Sequence, residues 1–218
     1  MPQAKALPLI LVEEGALAAA KLSKPQATWA NANGFTGQRG KLLPLPADGG
    51  GLGGYLFGTG AKATRPILVT GLAGAQLEAG SYRLDGAIGE PTYAALGFRL
   101  GAYRFDRYRK TKALPQLLLP EGADAAEVER LATAAFLARD LINTPANDLG
   151  PDTFEKEIRA FATRHRMKLK AVVGDNLLPQ NFPMIHAVGR AAAEAPRLLD
   201  LSWGRAGDPK ITLVGKGV

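Results

Sequence analysis

The stretch Ile211–Val218, with the sequence ITLVGKGV, decides how the rest of the chain is interpreted. Its apolar and β-branched residues are typical of a buried strand. The strand would deliver a single basic side chain, Lys216, between Gly215 and Gly217. Because open α/β sheets place their chemistry at the carboxyl ends of strands, we predict that this stretch forms one part of the rim of an active site.

The composition bounds the class of protein. The 218 residues suffice for one large domain or two modest ones, and 46% of them are hydrophobic, which allows a real core. The absence of cysteine excludes disulfides, Cys-based zinc sites and a Cys nucleophile. The apolar run Leu7–Val12 is too short for a membrane span and lacks the features of a signal peptide, so we interpret it as a strand. We therefore expect a cytoplasmic protein without a membrane partner.

The net charge of +7 is unevenly distributed. Residues 1–118 contain 14 Lys and Arg against 7 Asp and Glu, whereas residues 119–218 contain 13 of each. Any electrostatic attraction of an anionic partner would therefore come from the first part of the chain.

In the first part, short apolar runs alternate with glycine-rich turns, a pattern that predicts an α/β domain. The glycine-rich run Asp48–Gly54 lacks the Gly-Lys-Ser/Thr ending of a phosphate-binding loop, and a strand-like segment rather than a helix follows it, so a hairpin turn is the better interpretation. A helix is predicted over Glu90–Leu100, with Pro91 in its first turn. The predicted strands are 7–12, 40–45, 65–70 and 114–120.

The stretch Arg99–Lys112 combines six basic residues and one acid with interleaved aromatic residues. That composition is typical of a nucleic-acid-binding surface. No standard nucleic-acid-binding module accompanies it, however. We favour a helix end whose aromatic side chains pack inward while the arginines remain solvated.

Two helices are predicted from the spacing of their caps and apolar residues. Asp124 and Glu127 have capping-box spacing and begin a long helix that ends before Pro145. Asp152 and Glu155 repeat that spacing at the start of a second helix. Short apolar segments follow, of which three are predicted strands: 168–173, 197–203 and 210–214. Helix alternating with strand indicates the opening of a second α/β unit, which has too few elements for a core of its own.

The other candidates for catalysis are weak. His165 and His186 are the only histidines and lie on no His-Glu-x-x-His helix. We interpret His165 as a surface residue at a helix end and His186 as a core histidine whose hydrogen bonds are satisfied. Asp148, Asp152 and Asp175 are best explained as turn or cap residues.

Three stretches together resemble one family, the leucyl aminopeptidases, also called cytosol aminopeptidases. They are Arg139–Leu149 (RDLINTPANDL), the pair Ala187–Ala191 (AVGRA) and Pro196–Leu199 (PRLL), and Leu213–Val218 (LVGKGV). Tyr103–Tyr108 (YRFDRY) is similar to an aromatic run that family members have at this place. Each motif alone is weak, but the set in this order is specific.

The resemblance implies an α/β protein of two domains. Residues 1–120 would form an amino-terminal macro-domain-like α/β domain, residues 121–143 a connecting helix, and residues 144–218 the incomplete start of an α/β aminopeptidase catalytic domain. The full-length protein would be a metal-dependent aminopeptidase, a hydrolase that releases N-terminal, leucine-like residues from peptides. It would use two divalent metal ions, manganese or zinc, and assemble as a hexamer.

The resemblance also makes Lys216 a metal ligand. A lysine binds a metal only as the neutral amine, a form favoured by burial and by the cation itself. The remaining ligands would be carboxylates beyond Val218, so no catalytic residue is assigned within the chain. We therefore expect the 218-residue chain to bind metal poorly and to lack peptidase activity. Without the resemblance, a solvated lysine in a turn would be the ordinary explanation. The alternative function is a basic α/β module that binds a nucleotide or nucleic acid, or that mediates oligomerisation, without catalysis.

Overall fold

The computed structural model describes residues 6–217 and divides the chain into two compact units, one ending at Asp140 and the other beginning at Leu141. Residues 1–5 and Val218, the last residue of the stretch Ile211–Val218, lie outside the described part. The elements in chain order are β1 (Leu7–Glu13), α1 (Lys24–Ala32), β2 (Leu42–Pro46), β3 (Leu52–Gly60), α2 (Gly71–Gln76), β4 (Gly80–Gly86), α3 (Pro91–Ala102), β5 (Pro115–Leu117), α4 (Ala125–Asn143), α5 (Pro151–Arg164), β6 (Lys168–Val173), α6 (Pro183–Gly189) and β7 (Arg197–Ser202).

The first unit is built on a five-stranded mixed sheet with the strand order β2-β3-β1-β4-β5. β1 pairs in parallel with both β3 and β4, and β4 pairs in parallel with β5, while β2 runs antiparallel to β3. The predicted strands over 7–12, 40–45 and 114–120 correspond to β1, β2 and β5. The predicted α/β class is therefore confirmed for this unit.

Helices cover both faces of the sheet. Because successive residues of a strand point to opposite faces, Leu9 and Leu11 of β1 lie in one core cluster and Val12 lies in another. The first cluster packs against α2 and α3, with Phe98 among its fully buried members. The second cluster packs against α1 through Ala30. The helix that follows β1 therefore packs on one face of the sheet, and the helix that follows β3 packs on the other face.

The hairpin prediction for the glycine-rich run is confirmed. β2 and β3 are antiparallel, and the turn between them is closed by a hydrogen bond from the Ala47 amide to the Gly51 carbonyl (3.1 Å). Gly50 and Gly51 have φ of 87° and 80°, conformations that favour glycine. The run is a tight turn and does not open a phosphate-binding helix.

The predicted strand over 65–70 is wrong. The segment folds into successive turns, in which the Val69 amide donates to the Pro66 carbonyl (3.1 Å) and the Gly71 amide to the Leu68 carbonyl (3.0 Å). The buried Thr70 hydroxyl then donates to the Ala94 carbonyl of α3 (2.7 Å). Hydrogen bonding within the segment and to a helix replaces the ladder that a strand would need.

The predicted helices α3 and α4 are confirmed. Glu90 caps α3, since its carboxylate accepts hydrogen bonds from the backbone amides of Thr92 and Tyr93. Asp124 accepts from the Glu127 amide (3.0 Å) at the start of α4, and the helix ends at Asn143. None of the helices in residues 6–217 is long and apolar enough to cross a lipid bilayer.

The second unit has a two-stranded antiparallel sheet of β6 and β7, with α5 and α6. The strands predicted over 168–173 and 197–203 are confirmed. The strand predicted over 210–214 is wrong, because Ile211–Gly217 has no regular structure in the described chain. Ile211, Leu213 and Val214 are 85%, 91% and 94% exposed, and neither β6 nor β7 pairs with them. An extended segment becomes a strand only when a neighbour accepts its hydrogen bonds.

Candidate functional site

Residues of two stretches that carry the resemblance, Arg197 and Gly217, lie at the first turns of α5. Backbone amides at a helix N-terminus lack intrahelical acceptors, and a carboxylate is favoured there. Glu194 supplies it from outside the helix, because its Oε2 accepts a hydrogen bond from the Asp152 amide (2.7 Å). A Cβ at Gly150 would lie 2.5 Å from the same Oε2, so a side chain there would require this carboxylate to shift.

The capping box predicted from Asp152 and Glu155 is therefore wrong. The helix begins two positions earlier than that spacing requires, with Gly150 as its N-cap and Pro151 as its first residue. Asp152 consequently lies inside the first turn, where its carboxylate is free to contact another element.

Both acidic side chains instead bind Arg197 at the start of β7. Arg197 donates through Nη1 to Glu155 Oε2 (2.7 Å) and through Nη2 to Asp152. The side chains of Arg197 and Glu155 are each only 11% exposed. Arg159 binds the other oxygen of Glu155, with Nε 2.7 Å from Oε1. This network links the start of α5 to β7.

The charges of the network fix the ionisation of Glu155. Burial acts to raise the pKa of this carboxyl, but the hydrogen bonds from Arg159 and Arg197, with their positive charges, outweigh it and lower the pKa below its ordinary value. Glu155 is therefore a carboxylate at neutral pH. It acts as a structural anion and is held by two guanidinium groups.

Two further glycines of the resembling stretches allow close packing. A Cβ at Gly189, at the end of α6, would overlap the Pro196 ring just before β7. A Cβ at Gly217 would overlap the Phe154 ring of α5. We call the residues gathered here, Gly150–Glu155 with Glu194–Arg197 and Gly217, the α5 junction.

Lys216 directly precedes the Gly217 contact, and its side chain is exposed. In residues 6–217 no group of three His, Asp or Glu side chains is arranged to hold a metal ion. The described residues therefore do not by themselves fit the two metal ions that the resemblance implies. The assignment of Lys216 as a ligand stays a prediction.

The two histidines lie apart from the α5 junction contacts. His165 is exposed at the C-terminal cap of α5 and its ring lies 4.3 Å from the Phe161 ring, as expected for a surface residue at a helix end. His186 lies in α6, with Nε2 2.9 Å from Asp175 Oδ1. Its hydrogen bonding is satisfied as predicted, but the core position is wrong, because the side chain is only partly buried and its partner is a surface carboxylate.

The stretch Arg99–Lys112 mostly supports the first unit. The Tyr103 ring lies 5.2 Å from the Phe136 ring, and its hydroxyl binds Asp140 Oδ1 (2.6 Å). Arg99 pairs with Glu129 on α4, and Arg104 Nη2 donates to the Ala75 carbonyl (2.8 Å). The inward packing predicted for the aromatic side chains is confirmed for Tyr103.

Further along this stretch the prediction is only partly met. Phe105 is half-buried, but the Tyr108 side chain is 54% exposed and its ring makes an edge contact with Phe105, 5.8 Å away. The basic residues Arg109, Lys110 and Lys112 are exposed, as expected for a solvated loop.

Sequence reasoning missed Glu194 and the role of Arg197. Glu194 stands in the alanine-rich run AAAEAP, which carries no cap or ligand spacing. Its partner is 42 positions away at Asp152, so no local pattern could identify the pair.

Comparison with known proteins identifies the family to which both parts of the chain are similar. Residues 7–120 match the family model described as the M17 aminopeptidase N-terminal domain, and residues 136–218 match that of the cytosol aminopeptidase family catalytic domain. A probable cytosol aminopeptidase of Xanthobacter autotrophicus is 31% identical over 199 residues, which cover 84% of this chain and 37% of that protein. A probable cytosol aminopeptidase of Streptomyces avermitilis is 37% identical over 150 residues, covering 61% and 28%.

Solved structures show the same fold. The cytosol aminopeptidase of Coxiella burnetii superposes with a TM-score of 0.80 at 30% identity, over 96% of this chain and 46% of that one. The bottromycin maturation enzyme BotP in complex with Mn superposes with a TM-score of 0.76 at 25% identity, over 93% and 46%. The chain thus spans about half the length of these structures and a smaller share of the curated relatives.

Proposed function

The chain belongs to the M17 cytosol aminopeptidase family, and we propose that it provides the amino-terminal domain and the first part of the catalytic domain of a metal-dependent aminopeptidase. The enzyme would hydrolyse the first peptide bond of peptide substrates and release N-terminal, leucine-like residues. The match of residues 136–218 to the family's catalytic domain carries this proposal. The α5 junction adds to it, since Arg197 and Gly217, from two of the resembling stretches, both contact α5 there.

Lys216 would supply one metal ligand in that enzyme. Its neutral amine can donate a lone pair to a divalent cation, and a bound cation would polarise the substrate carbonyl or activate water. Gly217 lets the backbone approach α5 closely, since a Cβ there would overlap the Phe154 ring. The remaining ligands would be carboxylates from residues that the 218-residue sequence does not contain. Manganese and zinc both suit such a mixed site.

The other family properties are part of the same proposal. We expect a cytoplasmic enzyme that assembles as a hexamer and acts on peptides. An oligomer can be tested by light scattering on the purified protein, where a monomer at all concentrations would contradict the hexamer. The alternative, a module that binds nucleic acid, is weakened by Arg99 and Arg104, because their guanidinium groups bind Glu129 and the Ala75 carbonyl.

A chimera tests both the activity and the ligand. Residues 1–217 would be joined to the remaining catalytic region of the Coxiella burnetii cytosol aminopeptidase, whose fold this chain shares. We expect the chimera to hydrolyse L-leucine amide when Mn²⁺ is added, whereas the 218-residue chain alone does not. A folded but inactive chimera, or robust metal-dependent hydrolysis by the chain alone, would contradict the proposal.

Lys216→Met in the chimera tests the ligand. Loss of a group that merely supports a metal ligand already costs about 10–100-fold, so we expect at least about a 100-fold loss of kcat/KM together with a loss of bound Mn²⁺. Lys210→Met is the matched control, because Lys210 is an exposed lysine of the same segment. Equal activity and metal content in the two variants would contradict the role of Lys216.

A further inference from the structure

The first unit contains a polar cavity at one end of its sheet. Its volume is about 360 Å³, within the range of about 300–1,000 Å³ that is typical of small-molecule sites. It lies where β1 and β3 end, and its lining residues are Glu14, Arg39, Thr59, Gly60, Ala61 and Thr64. All of them belong to the amino-terminal unit, and none is a residue of the α5 junction.

The topology makes this end of the sheet a natural binding crevice. β1 and β3 are parallel neighbours. The helix that follows β1 packs on one face of the sheet, while the helix that follows β3 packs on the other. Where neighbouring parallel strands send their connections to opposite faces, a crevice opens outside their carboxyl ends, and α/β proteins bind ligands there.

The cavity presents one negative and one positive side chain. The carboxylate of Glu14 and the guanidinium of Arg39 form no ion pair and no side-chain hydrogen bond in the described residues 6–217. The neighbouring Glu13 is different, since it is paired with Arg65 (2.9 Å). Two opposite charges are therefore available to a ligand at the same opening.

Local packing positions these groups. Gly60 has a φ of 76°, and a Cβ there would lie 2.8 Å from Arg39 Cβ, so the strand end and the arginine are in close contact. The Thr59 hydroxyl is already used, because it donates to the Val12 carbonyl (3.2 Å). The exposed Thr64 hydroxyl completes the polar lining.

We propose that this cavity binds a free α-amino acid, with Arg39 binding its carboxylate and Glu14 binding its ammonium group. A zwitterion is the ligand whose two charges complement both side chains. A phosphate or nucleotide would be attracted by Arg39 but repelled by Glu14. A simple cation would be attracted by Glu14 but repelled by Arg39. The proposal depends on the amino-terminal unit alone and does not require peptidase activity.

The test is a titration of the ¹⁵N-labelled protein with L-leucine or glycine, followed through the amide signals of Gly60 and Ala61. We expect saturable shifts with both amino acids and none with L-leucine amide or N-acetyl-L-leucine, each of which lacks one charge. Charge-assisted hydrogen bonds contribute enough that Arg39→Gln and Glu14→Gln should each weaken binding by about tenfold or more. Arg39→Lys keeps the positive charge and should retain part of the affinity.

Lys156→Gln and Glu157→Gln are matched controls, since both residues are exposed on α5 and line no part of the cavity. These two variants should bind the amino acids normally. No saturable shift with either amino acid would overturn the proposal, as would shifts that persist equally in Arg39→Gln and Glu14→Gln. AMP is the competing probe: shifts by AMP that Arg39→Gln abolishes and Glu14→Gln strengthens would replace the zwitterion with a phosphate ligand.

Discussion

Replacing Glu155 by Gln tests whether the charged network holds the second unit together. The substitution keeps the size of the side chain and one oxygen acceptor but removes the charge that Arg159 and Arg197 bind. Arg197 would keep Asp152 as a partner, yet its guanidinium would remain largely buried beside a neutral amide. We therefore expect the contact between α5 and β7 to weaken.

The magnitude follows from the burial of the pair. An exposed ion pair contributes about 0–1 kcal/mol, whereas removing one partner of a fully buried pair costs about 3–5 kcal/mol. The side chains of Glu155 and Arg197 retain 11% exposure each, and Asp152 offers partial compensation. We expect Glu155→Gln to lower the free energy of unfolding of the second unit by about 2–3 kcal/mol, between these limits.

Hydrogen exchange is the suitable assay, because it resolves the two units in one experiment. Amides of β6 and β7 should exchange faster in Glu155→Gln, while those of β1 and β3 remain unchanged. Glu157→Gln is the control, since Glu157 is exposed on the same helix and forms no ion pair in the described chain. Equal protection of β7 in both variants would refute the view that the network stabilises this unit.

Three further predictions concern stability. The folded-state pKa of Glu155 lies below its ordinary value of about 4.3, so its contribution to the stability of the folded unit should be complete above pH 4.3 or so and disappear as the pH falls through the lowered pKa. Hydrogen exchange of wild type and Glu155→Gln, measured as a function of pH, should therefore converge in acid. Gly101→Ala should destabilise the first unit by about 1–3 kcal/mol in urea unfolding, because the added Cβ would overlap the Gly71 carbonyl. Gly49→Ala is the control and should leave stability near wild type, because a Cβ at Gly49 meets open space. Equal urea midpoints for the two variants would contradict the prediction. Trp29→Phe removes the hydrogen bond from Nε1 to the Pro44 carbonyl (2.9 Å) and should cost about 1 kcal/mol, with an unchanged urea midpoint as the contrary result.

Much of the first unit could be predicted because its signals are local. The apolar run of β1 and the glycines of the β2–β3 turn each encode their own structure over a few positions. The segment 65–70 failed because its apolar residues have strand composition, while the deciding interaction is the bond from Thr70 to the Ala94 carbonyl, 24 positions away. Burial by a distant helix cannot be seen in a short window of sequence.

The candidate site was predicted less well for the same reason. The spacing of Asp152 and Glu155 suits a capping box, but Glu194 occupies the capping role from 42 positions away and leaves both acids to Arg197. The motif glycines were recognised by resemblance alone. Their physical role at Gly189 and Gly217 became apparent only once the side chains they contact, Pro196 and Phe154, were in place.

The carboxyl-terminal stretch Ile211–Val218 would need additional partners to act as a metal-binding strand. In residues 6–217 the sheet of the second unit has only two strands, and a two-stranded sheet is marginal without further neighbours. Ile211–Val214 is mostly apolar but exposed and without regular structure, and the close approach of Gly217 to Phe154 is its link to α5. A lysine in such a segment retains its rotamer freedom, so a metal ligand at Lys216 needs the segment to be paired on a sheet edge and carboxylates to be placed beside it. The α5 junction holds this segment at Gly217, but a role in metal binding requires partners for both the backbone and the amine of Lys216.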